Sequence, residues 1–176
     1  MRKGFTLMEI LVAVIIVTIL VTMAVPMYEK TIEKSRIAEA RSMLKRIYDA
    51  KVRLMDELEV DKYIGQFGFE NLDYTFECKG GHKDDPVSSH RTKCATKEFV
   101  YVINPTTDVS DPDYRYVCAA RLGGDNENVN FLYGIESATG DVFMRCHDGG
   151  VSEGCEAFGM SSTGSTAWCN NAELVP

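Results

Sequence analysis

From Phe5 to Val25 the chain runs for 21 residues with one ionisable side chain, Glu9. As a helix, at about 1.5 Å per residue, such a run spans roughly 30 Å, the thickness of a bilayer hydrocarbon core. It has to be covered by lipid or by protein on every side, and that demand constrains the rest of the molecule. Met1, Arg2, Lys3 and Gly4 precede it. Their positive charge favours a cytoplasmic N-terminus and export of everything after Val25. A cleaved secretory signal has an apolar region of about 7–15 residues ending at a small-residue site. Here the run is longer and closes on Ala24-Val25-Pro26, so it reads as a retained membrane helix.

The helix is expected to continue past the bilayer. Pro26 removes a backbone donor, so a kink or local loosening is expected there. Beyond it Ile37, Ala40, Leu44, Ile47, Leu54 and Leu58 recur at helical spacing and form one apolar stripe. Lys45, Asp49, Arg53 and Glu57 alternate in sign at four-residue steps, which marks a solvated face. The helix should end before Gly65. Residues 61–96, punctuated by Gly65, Gly68, Gly80, Gly81 and Pro86, read as a connecting loop. Strands are expected at Phe99–Ile103 and at 114–121. In the second, Tyr114, Tyr116, Cys118 and Ala120 alternate with Arg115, Val117, Ala119 and Arg121, as in a half-buried strand. Phe131–Ile135 and Val142–Cys146 flank the turn Ala138-Thr139-Gly140-Asp141 and read as a hairpin. The fold class expected is α+β, a long N-terminal helix packed on a small antiparallel sheet.

Charge separates the regions. Residues 26–60 carry 8 Lys+Arg against 7 Asp+Glu, whereas residues 61–176 carry 9 against 18. An acidic head repels nucleic acid and anionic lipid, so nucleic-acid binding by an isolated subunit is not expected. All six cysteines, Cys78, Cys94, Cys118, Cys146, Cys155 and Cys169, follow the apolar run. In an oxidising compartment an even set reads as three disulfides, with fifteen connectivities open. The expected pairing is Cys78–Cys94, Cys118–Cys146 and Cys155–Cys169. The first and third each close a short loop, and the second would tie two neighbouring strands.

Lys3-Gly4-Phe5-Thr6-Leu7-Met8-Glu9, running into the apolar segment, resembles the processing motif of type IV prepilins and type II secretion pseudopilins. The resemblance implies cleavage between Gly4 and Phe5 by a prepilin peptidase, with N-methylation of Phe5. Glu9 becomes the fifth residue of the processed chain, where the family places its glutamate. A carboxylate at the centre of an apolar span costs roughly 2.5–3.5 kcal/mol. In the family, the N-terminal amine of a neighbouring or the same subunit neutralises it during assembly. A plainer reading stands beside that one: Thr6-x-x-Glu9 fits a helix capping box, and a carboxylate in the first turn suits the helix dipole.

Pro26-Met27-Tyr28 and Arg36-Ile37-Ala38-Glu39-Ala40 extend the resemblance over roughly residues 1–60, with Thr18 where many pilins have a helix-breaking glycine. Pro26 is either a kink at the membrane exit or part of a stretch that melts on assembly. The implied organisation is a leader at 1–4, a transmembrane and filament-core helix at 5–25, its amphipathic continuation at 26–60 and a disulfide-bonded head at 61–176. The implied partners are other copies in a helical filament, the peptidase, an assembly ATPase, an inner-membrane platform and, before assembly, the membrane itself. The implied location is the inner membrane for the precursor, then a periplasm-spanning or extracellular filament.

Other groupings are weaker. Cys78-x3-His82 and His90-x3-Cys94 have zinc spacing, but the compartment favours a Cys78–Cys94 bridge with exposed histidines. Asp148, Glu153 and Glu156 lack the spacing of a calcium loop and read as solvated charges. His147 reads as a surface residue beside a disulfide, and Trp168 as packing over one. Tyr101, Tyr114, Tyr116 and Tyr133 read as sheet residues. No catalytic motif is present, so no enzyme, cofactor or metal is expected. Three readings follow: a subunit of a type IV pilus-like filament, a type II secretion pseudopilin, and a single-pass membrane-anchored periplasmic binding protein.

Overall fold

Helix α1 (Leu7–Glu57) is 51 residues long and carries Pro26 within it. The structure is a computed structural model, and it describes residues 6–57, 68–78, 92–103, 116–124, 126, 129–135, 139–148 and 154–162. The expected apolar stripe is the contact face of α1. Ala40, Leu44 and Ile47 are fully buried, and Ile37 and Leu54 pack against the same core. Leu58 lies outside the described residues.

Five strands form one antiparallel meander in chain order. They are β1 (Lys93–Ala95), β2 (Phe99–Val102), β3 (Val117–Arg121), β4 (Asn130–Ile135) and β5 (Val142–His147). The α+β expectation stands, with a long helix laid on an antiparallel sheet. Strand β1 falls inside the stretch read as loop. Three residues are too short to show a period of two, and the strand exists because Cys94 pairs with Tyr101 of β2. The hairpin of β4 and β5 pairs Phe131 with Cys146 and Ile135 with Val142. Gly140 lies in its turn at φ 76°, a conformation that costs glycine little.

The expectation of a half-buried strand at 114–121 needs correction. Side chains alternate between the two faces of β3, yet both faces are buried. Val117 and Ala119 join Phe99, Tyr101, Phe131 and Tyr133 against α1. Cys118 and Ala120 join Val100, Val102, Tyr116 and Leu132 in a second cluster on the opposite face. Gly134 is required there. A Cβ on it would come within 2.1 Å of the Tyr116 ring, which stacks edge-on against Phe143 at 4.8 Å.

The cysteine pairing differs from expectation in two of its three bonds. Cys78 bonds Cys94, the first expected pair, with Cα atoms 5.1 Å apart. Cys146 bonds Cys155, not Cys118, at a Cα separation of 5.9 Å. Strand β4 stands between β3 and β5, and Cys118 and Cys146 belong to the clusters on opposite faces of the sheet. A bond between them would have to cross both obstacles. Cys155 reaches Cys146 because a short helix, α2 (Gly154–Ala157), brings it back under the end of β5, and it is then closed to Cys169. Cys118 is also disulfide-bonded. Cys169 and Trp168 lie outside the described residues.

Candidate assembly surface

Every residue from Thr6 to Thr31 is exposed. The large apolar side chains there keep between 44% (Val12) and 92% (Leu7) of their surface accessible. Apolar patches beyond a few hundred Å² mark a surface that is covered in use, by protein or by membrane. By length and composition α1 can cross a bilayer, and the apolar window that qualifies it has no buried residue. The run is apolar all round, so no rotation of the helix could hide it on the sheet.

The start of α1 is capped. The Glu9 backbone N–H donates to Thr6 Oγ1 at 3.3 Å and to Thr6 O at 3.1 Å. This fulfils the side-chain half of the capping box, and it leaves the Glu9 carboxylate exposed. The threonines of the apolar run turn their hydroxyls inward. Thr18 Oγ1 donates to Val14 O at 3.0 Å and Ile15 O at 2.8 Å, and Thr22 Oγ1 donates to Ile19 O at 2.8 Å. Such back-bonding satisfies a polar group that lipid would leave without a partner. Pro26 offers no N–H to the Thr22 carbonyl, yet the helix runs through it. Thr18, Thr22 and Pro26 are spaced four apart and share one face. Gly4 and Phe5 lie outside the described residues.

Further along, charged side chains fasten the helix to the head. Arg121, at the end of β3 and 3% exposed, reaches Glu98 at 3.0 Å and Glu33 of α1 at 3.4 Å. Arg36 pairs with Glu33 and lies 3.4 Å from Glu98. The Arg121 guanidinium also sits 5.6 Å over the Phe99 ring. Two turns of the helix from the buried Leu44 is Lys51, 5% exposed. Its Nζ donates to Ile103 O at 2.8 Å and to Tyr116 O at 3.1 Å, so it joins the end of β2 to the start of β3. Burial pushes the Lys51 ammonium down to about 7. Neither Lys51 nor Arg121 was singled out from sequence. The stripe held a signal for Lys51, because the seven-residue gap between Ile47 and Leu54 places residue 51 on its line.

Residues 1–25 match the family model for the prokaryotic N-terminal methylation motif. The chain carries the type IV pilin and pseudopilin signature. No curated protein and no solved structure matches it significantly. The matched residues stop at Val25, so the head of this pilin-like chain is described by its own geometry.

The remaining groupings resolve as follows. With Cys78 bonded to Cys94, those thiols are closed to zinc, and His82 and His90 lie outside the described residues. Asp148 is half-buried and hydrogen-bonded. It accepts from the Cys155 backbone N–H at 2.7 Å, and hydrogen bonds from the Ser162 side chain and that N–H hold its carboxyl below the ordinary value. Glu156 is exposed on α2, and Glu153 lies outside the described residues. Tyr101 and Tyr133 are buried sheet residues, and Tyr116 is buried immediately before β3. Tyr114 lies outside the described residues. His147 is half-buried next to the bridged Cys146.

Proposed function

We propose that this chain is a structural subunit of a type IV pilus-like filament, without catalytic activity of its own. It is cut between Gly4 and Phe5, methylated on Phe5 and polymerised through α1. The observation that carries this reading is the bare run of α1, joined without interruption to a helix firmly held by the head. Lipid covers the run in the precursor, and neighbouring helices replace lipid on assembly. Glu9, the one carboxylate in that run, then meets the new amine of Phe5 on a neighbouring or the same subunit. The methylation motif at residues 1–25 supports processing by a prepilin peptidase; the assembly ATPase and membrane platform follow from the family resemblance.

The test is an intact mass of the native protein, taken without reductant from membranes and from sheared cell-surface material. Loss of Met1–Gly4, gain of one methyl and loss of six hydrogens are expected, with the processed form in the sheared material. Processed protein that supports secretion without visible fibres would instead identify a pseudopilin. An unprocessed mass confined to membranes would replace both readings with an anchored binding protein. Glu9→Ala is expected to be processed and to assemble poorly; normal filament yield from it would remove the role given to Glu9.

A further inference from the structure

Where α1 leaves its bare run, Glu29–Arg36 form one wall of a groove of about 690 Å³. The facing wall is Gly124, Asn126 and the α2 residues Glu156 and Ala157. Glu33 and Arg36 are committed to the cluster with Glu98 and Arg121. The other four charges of the groove, Glu29, Lys30, Lys34 and Glu156, are exposed. Among the described residues they enter no ion pair. Lys34 lies against the turn that follows α2, with its Cε 3.6 Å from where a Cβ on Gly159 would sit. Among the described residues, the groove therefore presents two cations and two carboxylates outside any ion pair.

Its height on the helix says what that is. The apolar run ends at Val25; at about 1.5 Å per residue Glu29 and Lys30 follow roughly 6–8 Å further along the axis and Lys34 roughly 13–14 Å, so that Lys34 meets the headgroups only through its long side chain. The headgroup layer outside the hydrocarbon is about 5–7 Å deep on each side. Tyr28, 67% exposed, stands at the boundary where aromatic residues anchor membrane helices. When the run is in lipid, the lower lip of the groove is at headgroup level.

We propose that the groove binds the headgroup of a zwitterionic phospholipid that carries a primary ammonium, the phosphoethanolamine class. Lys30 and Lys34 take its phosphate, and Glu29 and Glu156 take its ammonium. A groove of this volume is within the usual range for small-molecule sites, about 300–1,000 Å³. An anionic glycerol headgroup would face two carboxylates with no cation to offer them. It would also approach a head whose residues 61–176 carry 9 basic against 18 acidic side chains. A choline headgroup has the right charges but no N–H to donate, and so forfeits the charge-assisted hydrogen bonds.

The inference rests on the membrane-spanning reading of α1, and the experiment separates the two. The full chain is reconstituted into phosphatidylcholine vesicles doped with either phosphatidylethanolamine or phosphatidylglycerol, then extracted gently and weighed with its retained lipid. Phosphatidylethanolamine is expected to be retained about tenfold over the other two lipids, the equivalent of one charge-assisted hydrogen bond. The Lys30→Glu/Lys34→Glu double variant should lose that preference, and Glu156→Lys should move it toward phosphatidylglycerol. Insertion with equal retention of all three lipids would overturn the proposal. So would a preference that both variants leave unchanged, or cross-linking of the groove to a second copy in place of lipid. Protein that enters no vesicle at all would remove the membrane reading, and the headgroup site with it.

Discussion

Both ends of α1 carry apolar residues, and these meet opposite fates. From Thr6 to Thr31 no residue is buried; from Ala40 to Lys51 six are. The difference lies in placement. In the first stretch apolar side chains occupy every face, which only a surrounding of lipid or other helices can cover. In the second they occupy a stripe, which one sheet can cover. The same helix thus joins a surface left for lipid or other helices to an intramolecular interface, and each can be broken without the other.

The largest effect expected is from deleting residues 1–28. The remaining chain, exported to an oxidising compartment, should leave the membrane fraction, because a single headgroup in the groove cannot replace the apolar run as an anchor. The thermal midpoint of its head should be essentially unchanged; full retention in membranes would show that the head alone can anchor the chain. Next come paired alanine substitutions. Leu44→Ala, at a fully buried site, should cost about 2–5 kcal/mol in chemical denaturation. Leu11→Ala, at a site 55% exposed, should leave that transition where it was while weakening filament yield. Equal effects from the two would erase the distinction between the halves.

Removing the Cys146–Cys155 bridge by a double serine substitution should destabilise the head by about 2–3 kcal/mol, the value for a short closed loop. Non-reducing peptide mapping should show Cys78–Cys94 and Cys146–Cys155. Cys118 is fully buried and bonded, and counting leaves Cys169 as its expected partner.

A smaller effect sits at Lys51. Its folded value is lowered from 10.5 to about 7, so between those limits the unfolded chain holds a proton that the folded chain lacks, and stability rises with pH. From pH 7 to 9 the native protein should gain up to about 2 kcal/mol from this residue, at about 1.4 kcal/mol per pH unit. Below pH 7 both states are protonated and the contribution is flat. Lys51→Met should lack the gain; an identical slope would show that the amine is not shielded from water. The smallest effect belongs to Lys45→Ala. Its partner Asp49 lies 2.6 Å away, but the lysine side chain is 61% exposed, so no measurable change is expected.

What sequence made legible was whatever lies within a few residues along the chain. The apolar run, the stripe from Ile37 to Leu54 and the hairpin around Gly140 are local patterns, and all three are present. What it hid depends on distant partners. Whether β3 is buried on one face or two is decided by what packs on the far side, and alternation alone cannot report that. In sequence Arg121 is only one of the alternating residues of a strand, because Glu33 and Glu98 are brought to it by the fold. The choice of Cys155 for Cys146 required knowing that β4 intervenes and that α2 turns back.

The contacts that hold α1 to the sheet have a mechanical consequence. They extend from Glu33 to Leu54, roughly 30 Å of helix axis at about 1.5 Å per residue. A pull along that axis, as a filament under tension would apply, loads them side by side in shear instead of peeling them one after another. The Arg121 cluster takes strain at the end nearest the apolar run, and Lys51 takes it at the far end. A helix held in this way should come away abruptly, at a force set by the whole row, with little stretching beforehand.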